Sequence, residues 1–527
     1  MKRRTEKMNR ILTVEQMTFC EHQSEKYGVS LAKLMDNAGE RLAHHILNSV
    51  NTIFDGPFKD KKREAVLLIG KGNNGGDGLV AANILLENGV EPVILLCCGQ
   101  PDTELSKAAF DRLDKSIRVL SANEQGAVEI VENASILADC IFGTGFHGNL
   151  RDSIKPIFEA CRKCRGFKIA CDVPSGVNAG NGQADGLAFD ADETVTFHRK
   201  KLGLMLSPAR HFSGSGGRFI ICEDIGIPEQ CEDMLEYTVT DYNFEDAKAD
   251  LPERVPYGHK GTFGRIVSVC GSESYVGAAG LTVLSAMRTG VGLVNLCTAQ
   301  SAINSLSSRI LECTYSAMNT DSNGFMTSEN AVRILEKCKG AQCLLIGCGL
   351  GHTAETEKLV AELIENADIP IVLDADGINS LCPNIDILLK KKNTVTLTPH
   401  PAELARLCKT SAAEILSDRY GFAYSLAEKY GVTVVSKSAE TIVCHGKRAA
   451  VVLSGNTALS KGGSGDMLAG IIASYIAQGV KPFEAAALGS YTLGKTAELA
   501  SAQRSQRGVI ATDILDTLPD FLKKLED

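Results

Sequence analysis

The sequence predicts an α/β protein of two domains, each built on a largely parallel sheet. Three observations carry that expectation. A chain of 527 residues exceeds what one hydrophobic core usually supports. Short apolar runs recur at strand length, and each leads into glycine, acid or histidine. Around residues 227–257 the periodicity fades into an acidic, polar stretch holding Pro228, Pro252 and Pro256. That stretch marks a junction near residue 235, giving expected domains of 1–235 and 236–527.

Composition bounds the partners. The chain is 44% hydrophobic and 23% charged, with 50 glycines, which is ordinary for a globular protein rich in tight turns. A formal net charge of -9 argues against nucleic acid or an anionic membrane as the main partner. Any phosphate site must then rely on local backbone donors. The basic start Met1-Lys2-Arg3-Arg4-Thr5-Glu6-Lys7 lacks the apolar run of a secretory signal, and no stretch is apolar for long enough to span a membrane. The 18 cysteines are scattered, several inside apolar runs, as expected of reduced thiols in a cytoplasmic protein. Cys161-Arg162-Lys163-Cys164 has no second pair nearby and reads as helix-end thiols rather than a zinc site.

In chain order, residues 12–50 are expected to be mainly helical, with Asn37-Ala38-Gly39 inside the periodic pattern. Residues 65–69 form a strand that enters Gly70-Lys71-Gly72-Asn73-Asn74-Gly75-Gly76-Asp77-Gly78. A helix over 79–87 stops at Asn88-Gly89, and 92–97 is the next strand. Such β–loop–α–β units place ligands at the carboxyl ends of the strands. Gly70, Gly72 and Gly75 fit the dinucleotide fingerprint, but so do Gly143, Gly145 and Gly148, and no acid follows the next strand to hold a ribose. A resident NAD acting as hydride carrier is therefore poorly supported. Asp139 lies in a strand over 136–142, and Asp172 opens Asp172-Val173-Pro174-Ser175-Gly176 after residues 168–171. A carboxylate at such an edge is a candidate acid and base; a turn-stabilising aspartate is the alternative.

Asn73-Asn74-Gly75-Gly76-Asp77-Gly78, Gly143-Thr144-Gly145-Phe146 and Asp172-Val173-Pro174-Ser175-Gly176, in this order and preceded by Leu34-Met35-Asp36-Asn37-Ala38-Gly39, resemble the NAD(P)H-hydrate epimerase family over residues 10–225. The resemblance implies a Rossmann-like three-layer α/β/α domain. It also implies that Asn73, Asn74, Gly75, Gly76, Asp77, Gly143, Thr144, Gly145, Phe146, His147, Gly148, Asn149 and Asp172 contact the hydrated nucleotide. Asp172 would be catalytic, and Asn74, Asp139 and Ser175 would hold a potassium ion (K+).

The second half repeats the α/β pattern. Strands are expected over 265–270, 293–297, 343–346, 371–373, 394–397 and 433–436, with a helix over 277–289. They run into Gly347-Cys348-Gly349-Leu350-Gly351, Asp374-Ala375-Asp376-Gly377, Thr398-Pro399-His400-Pro401-Ala402-Glu403 and Lys437. Gly462-Gly463-Ser464-Gly465-Asp466 precedes an apolar helical run, placing unpaired N–H groups and a helix's positive end beside one carboxylate. That suits a phosphate ester with a base beside it; a glycine-rich turn with Asp466 as a cap is the plain alternative. Gly489-Ser490-Tyr491-Thr492-Leu493-Gly494-Lys495-Thr496 fits the Walker A letters, but a helical run precedes it where a P-loop needs a strand, so a helix through it is expected. His400, between two prolines, either meets a ligand or caps a turn. Asp374 and Asp376 either associate with magnesium or close their strand.

The order of these loops is similar to that of the ADP-dependent NAD(P)H-hydrate dehydratase family, over residues 245–520. The resemblance implies a ribokinase-like α/β domain in which Ala279, Gly349, His400 and Asp466 meet the hydrated substrate. Lys437, Ser438, Ala439, Glu440, Thr441 and Gly465 would bind the adenine nucleotide, and Asp466 would be the catalytic base. Ser464 replaces the commoner threonine, and Ser438 stands where glycine usually follows the lysine. The expected enzyme epimerises (R)- and (S)-NAD(P)H hydrates (NADHX and NADPHX) and dehydrates the S form at the expense of ADP, giving AMP and phosphate. Mg2+ would accompany the nucleotide, with no nucleic-acid or membrane partner, in a cytoplasmic homo-oligomer. Two other classes stay open on the residues alone: a small-molecule kinase using the same glycine-rich base, and a non-catalytic ligand sensor on the first domain.

Overall fold

The computed structural model describes residues 9–56, 58–214 and 216–527; the basic stretch at residues 1–7 lies outside them. The described residues form two compact units, one of residues 10–238 and one of residues 239–527 together with Asn9. Both have the expected α/β architecture with parallel sheets.

The first unit starts with a short strand β1 (Arg10–Leu12), and the helices Val14–Ser24 and Leu31–Phe54 follow. Its sheet comprises β2 (Glu64–Ile69), β3 (Glu91–Leu96), β4 (Arg118–Ser121), β5 (Ile136–Cys140), β6 (Phe167–Cys171), β7 (Glu193–Phe197) and β9 (Ile220–Glu223), in the order β4-β3-β2-β5-β6-β7-β9. Every pairing is parallel. The two-residue strand β8 (Lys200–Lys201) lies parallel to β1 outside this sheet. The strands are apolar on both faces because helices cover both faces, as in parallel sheets generally.

One expectation needs correction. The glycine-rich stretch after β2 is not a loop up to Leu79: the helix Asn73–Glu87 already begins at Asn73, with Gly72 as its N-cap. The glycines are there for packing. A Cβ on Gly75 would lie 2.1 Å from the Gly70 carbonyl oxygen, and one on Gly76 would lie 2.5 Å from the Met35 side chain. Gly39 plays the same part on the facing helix, where a Cβ would come within 2.5 Å of Val80.

In the second unit β10 (Thr238–Tyr242), β11 (Arg265–Val269), β12 (Leu293–Ala299), β13 (Thr314–Met318), β14 (Cys343–Ile346), β15 (Ile371–Leu373), β16 (Val395–Leu397), β17 (Thr433–Ser436), β18 (Thr441–His445) and β19 (Arg448–Val452) run in the order β13-β12-β11-β14-β15-β16-β17-β18-β19-β10. Pairings from β13 to β17 are parallel, and β17-β18-β19 is an antiparallel meander. The carboxyl ends of β14, β15, β16 and β17 therefore open on one edge. The helices Val276–Arg288 and Ser464–Ala477 pack closely because Gly470 has no side chain: a Cβ there would sit 2.2 Å from Ser285 Oγ and 2.3 Å from the Thr282 carbonyl oxygen. The Walker A look-alike lies inside the helix Pro482–Gln503, as expected, with Gly494 pressed against Ser454.

Candidate active sites

In the first unit the ends of β2, β5, β6 and β7 surround a cavity of about 380 Å³. Asn73, Asn74, Asp77, Gly143, Thr144, Gly145, Phe146 and Asp172 line it together with Glu21, Lys71 and Phe142. His147, Gly148 and Asn149 are exposed and lie outside the lining, and Gly75 and Gly76 are buried packing positions. Asp172 has left-handed backbone, φ 60°, a conformation aspartate tolerates better than most residues. Its Oδ1 accepts hydrogen bonds from Thr196 Oγ1 (3.1 Å), the Phe197 amide (3.3 Å) and Lys201 Nζ (2.5 Å). Burial, reinforced by Asp172 and Glu21, pushes the Asp77 carboxyl well above the usual carboxylate range. Burial likewise moves Glu21 up to about 7, against the pull of Lys201.

Asp139 is fully buried. Ser175 donates to it through its amide and hydroxyl, each at 2.7 Å, and the Ile141 amide donates at 3.1 Å. Burial nevertheless raises its pKa to about 6. Asn74 Nδ2 is buried without a hydrogen-bond partner, and the Asn74 side chain lies against Gly143. A buried carboxylate with oxygen-bearing neighbours and, among the described residues, no lysine or arginine paired with it fits a hard cation. The expected K+ ligands Asn74, Asp139 and Ser175 thus have suitable chemistry.

In the second unit Asp466 sits in the first turn of the helix Ser464–Ala477. Gly463 precedes it with φ 96°, and no side chain caps the helix, leaving the first-turn N–H groups without intrahelical acceptors. Burial, then the charge of Asp374, raises Asp466 to about 6. Asp374 is almost fully buried. Its Oδ1 accepts from Thr398 Oγ1 (2.6 Å) and Lys437 Nζ (2.7 Å), and Cys348 Sγ lies 3.7 Å from Oδ2. Burial works against its ionised form, yet Lys437 and Thr398 hold the Asp374 carboxyl below its ordinary range. Ala375 follows with φ 48° and ψ -115°, a strained conformation for a non-glycine residue. It turns the chain so that Asp376 can accept from the Gly351 amide at 2.8 Å. Asp376 therefore closes its loop, whereas Asp374 and Asp466 face each other. Their oxygens and Cys348 Sγ lie within 4.8 Å of one another. The two carboxylates suit Mg2+; the thiol does not.

His400 does cap a helix: its Nδ1 accepts from the Ala402 amide at 3.2 Å, while Glu403 accepts from the His400 amide at 2.8 Å. The ring is half-exposed. Burial and the nearby Lys437 lower its pKa, so the neutral ring carries its proton on Nε2. Gly465 lies where a Cβ would be 3.4 Å from Lys437 Nζ. Ser438 and Ala439 are exposed, and Thr441 is partly so. The Glu440 side chain instead points inward, 3.4 Å from buried Arg419. Ala279 is fully buried behind Gly271, and Gly349 packs on Tyr275 and Ala278. The site's centre is thus Asp374, Lys437, Gly465 and Asp466, with His400 and Glu403 beside it.

Sequence reasoning missed Lys201, Glu21 and Cys348. Lys201 and Glu21 carry no motif in the chain. Cys348 lies between two glycines of a loop, and a lone cysteine there carries no motif either.

Fold and sites together define a two-unit α/β protein with a candidate site in each unit. The profile of the YjeF-related protein N-terminus family matches residues 31–203, and that of the NAD(P)H-hydrate dehydratase family matches residues 266–520. The bifunctional NAD(P)H-hydrate repair enzyme Nnr of Moorella thermoacetica is 32% identical over 511 residues, spanning 96% of this chain and 94% of that protein. The Escherichia coli enzyme of the same name is 32% identical over 494 residues, spanning 93% and 89%. The ADP/ATP-dependent NAD(P)H-hydrate dehydratase of Bacillus subtilis, crystallised with ATP and Mg2+, is 29% identical and covers 54% of this chain and 98% of its own, with a TM-score of 0.46. A ribokinase-like superfamily protein of Enterococcus faecalis is 24% identical, covering 55% and 97%, with a TM-score of 0.48. The chain belongs to the family of bifunctional NAD(P)H-hydrate repair enzymes.

Proposed function

We propose that residues 1–235 interconvert the R and S hydrates of NADH and NADPH and that residues 236–527 dehydrate the S hydrate at the expense of ADP. In the first step Asp172 hands a proton to the ring hydroxyl. The ring nitrogen's lone pair expels water, and water re-adds on the other face as the proton returns. Asn73, Asn74, Asp77 and residues 143–146 line the cavity that would receive the nucleotide. Asn74, Asp139 and Ser175 would hold K+, which when bound supplies positive charge beside the nucleotide's phosphates.

In the second step Asp466 takes the proton of the substrate hydroxyl, whose oxygen attacks the terminal phosphorus of ADP as AMP leaves. The free N–H groups of the helix start stabilise charge on the transferring group, and Lys437 balances Asp374. The ring nitrogen then expels phosphate and the adjacent carbon loses a proton, giving NAD(P)H. Phosphorylation replaces hydroxide, a poor leaving group, with phosphate. Asp374 would hold Mg2+, which when bound would screen the diphosphate charge, and Asp466 stays free to act as base.

The observation that carries this reading is Asp466 in an uncapped helical turn beside the Asp374–Lys437 pair. The test supplies full-length protein with (S)-NADHX and ADP. Recovery of the NADH absorbance with one AMP per NADH is expected; a stable phosphorylated product without NADH would instead identify a small-molecule kinase. All eighteen cysteines are free, and no helix among the described residues is long and apolar enough to cross a membrane. The free thiols suit the reduced, cytoplasmic setting proposed for the chain, and we expect a homo-oligomer, which sedimentation would test.

A further inference from the structure

Lys201 is completely buried, and burying an ammonium is costly unless it is paired and hydrogen-bonded. Its Nζ donates to Asp172 Oδ1 at 2.5 Å, Thr196 Oγ1 at 2.9 Å and the Phe197 carbonyl at 2.8 Å. All the donors to Asp172 converge on Oδ1, and none among the described residues reaches Oδ2. Asp172 also lines the cavity. One oxygen is thus tied down and the other is left for a ligand.

The chain invests in bringing that lysine round. After β7, His198 takes φ 63° and turns the backbone, and Arg199 N closes the turn on the Phe197 carbonyl at 2.7 Å. Buried Glu232 fixes the turn, with Arg199 at 2.7 Å and His198 at 3.2 Å.

We propose that Lys201 is a positioning residue for epimerisation: it fixes Asp172 through Oδ1 and leaves Oδ2 as the oxygen that exchanges the proton. This rests on the assignment of Asp172 as the proton carrier. The groups facing the pair from other elements are Glu21, Asp77 and Cys222. None of them is cationic, so Lys201 is the counter-charge.

The test follows the R-to-S ratio of NADHX by chromatography, with full-length protein and no ADP, across substrate concentrations, for wild type, Lys201→Met, Lys201→Arg and Asp172→Asn. Thermal melting checks folding. Asp172→Asn should lose activity about 100-fold or more. Lys201→Met should lose about tenfold in kcat with KM little changed, because the cavity lining stays while Asp172 is no longer held. Lys201→Arg, which can still donate to Oδ1, should regain most of that kcat. If Asp172→Asn epimerises at the wild-type rate, the assignment of Asp172 fails. If Asp172→Asn is inactive while Lys201→Met keeps the wild-type kcat, only the role of Lys201 fails. Should Lys201→Met not fold, Lys201→Gln takes its place: a lowered kcat at little-changed KM supports the proposal and an unchanged kcat overturns it.

Discussion

The proposed mechanism assigns one aspartate to each step, and the surroundings of Asp466 bear on its pH behaviour. Asp466 has its pKa raised to about 6 by burial and by Asp374. A base must be ionised to act, so dehydration should rise with pH through about 6 and then level off. A rate that falls over that interval would contradict the role. Asp466→Asn should cut ADP-dependent dehydration by about 100-fold to 10,000-fold while leaving R-to-S conversion intact, because the epimerising cavity is built wholly from residues of the first unit. Lys437→Met leaves Asp374 buried with Thr398 as its main partner. It should therefore weaken both nucleotide binding and stability, the latter by about 3 kcal/mol, measurable by denaturant titration.

Among the elements, glycines decide how closely neighbours approach. Gly470→Ala would drive a methyl group into Ser285 and the Thr282 carbonyl. It should cost about 1–3 kcal/mol, read from the urea midpoint, with dehydration falling because the displaced helix begins at Asp466's turn. The helix Leu31–Phe54 is held to β7 and β9 by His45, whose ring nitrogens lie 2.8 Å from Glu193 and 2.9 Å from Glu223. The Glu193 hydrogen bond outweighs burial and raises the His45 pKa. A raised histidine stabilises fully below its unfolded value of about 6.5, and that contribution fades as pH climbs through the folded value. His45→Gln should therefore lower the melting temperature most in mildly acidic buffer and least in alkaline buffer.

These elements also show what the chain's letters disclose. Strands such as β14, β15 and β17 have the bounds expected from their apolar runs, since a buried parallel strand is a continuous hydrophobic segment bounded by polar turns. The start of Asn73–Glu87 was hidden because Asn-Asn-Gly-Gly is poor helix sequence on propensity alone. Tertiary contacts with Gly70 and Met35 require those glycines. Asp172 and Asp466 stood out by following a strand or opening a helix, and Asp139 by being a carboxylate within an apolar strand. Lys201 did not, because its burial depends on a turn at His198 that no local pattern announces, and Glu21 reads as an ordinary surface residue of an amphipathic helix.

For the whole molecule, two sites in one chain make sense when one product is the other's substrate. Only the S hydrate is consumed by the second activity, so the first keeps it supplied from the R form. The decisive measurement gives full-length protein an equilibrated R/S mixture of NADHX, with and without ADP, and follows recovered NADH together with both hydrates. With ADP, complete conversion is expected, and Asp172→Asn should stop once the S form is spent while R remains. Without ADP, the two forms should interconvert and no NADH should appear. Complete conversion by Asp172→Asn, or NADH formed at an undiminished rate by Asp466→Asn, would contradict the assignment of one aspartate to each step.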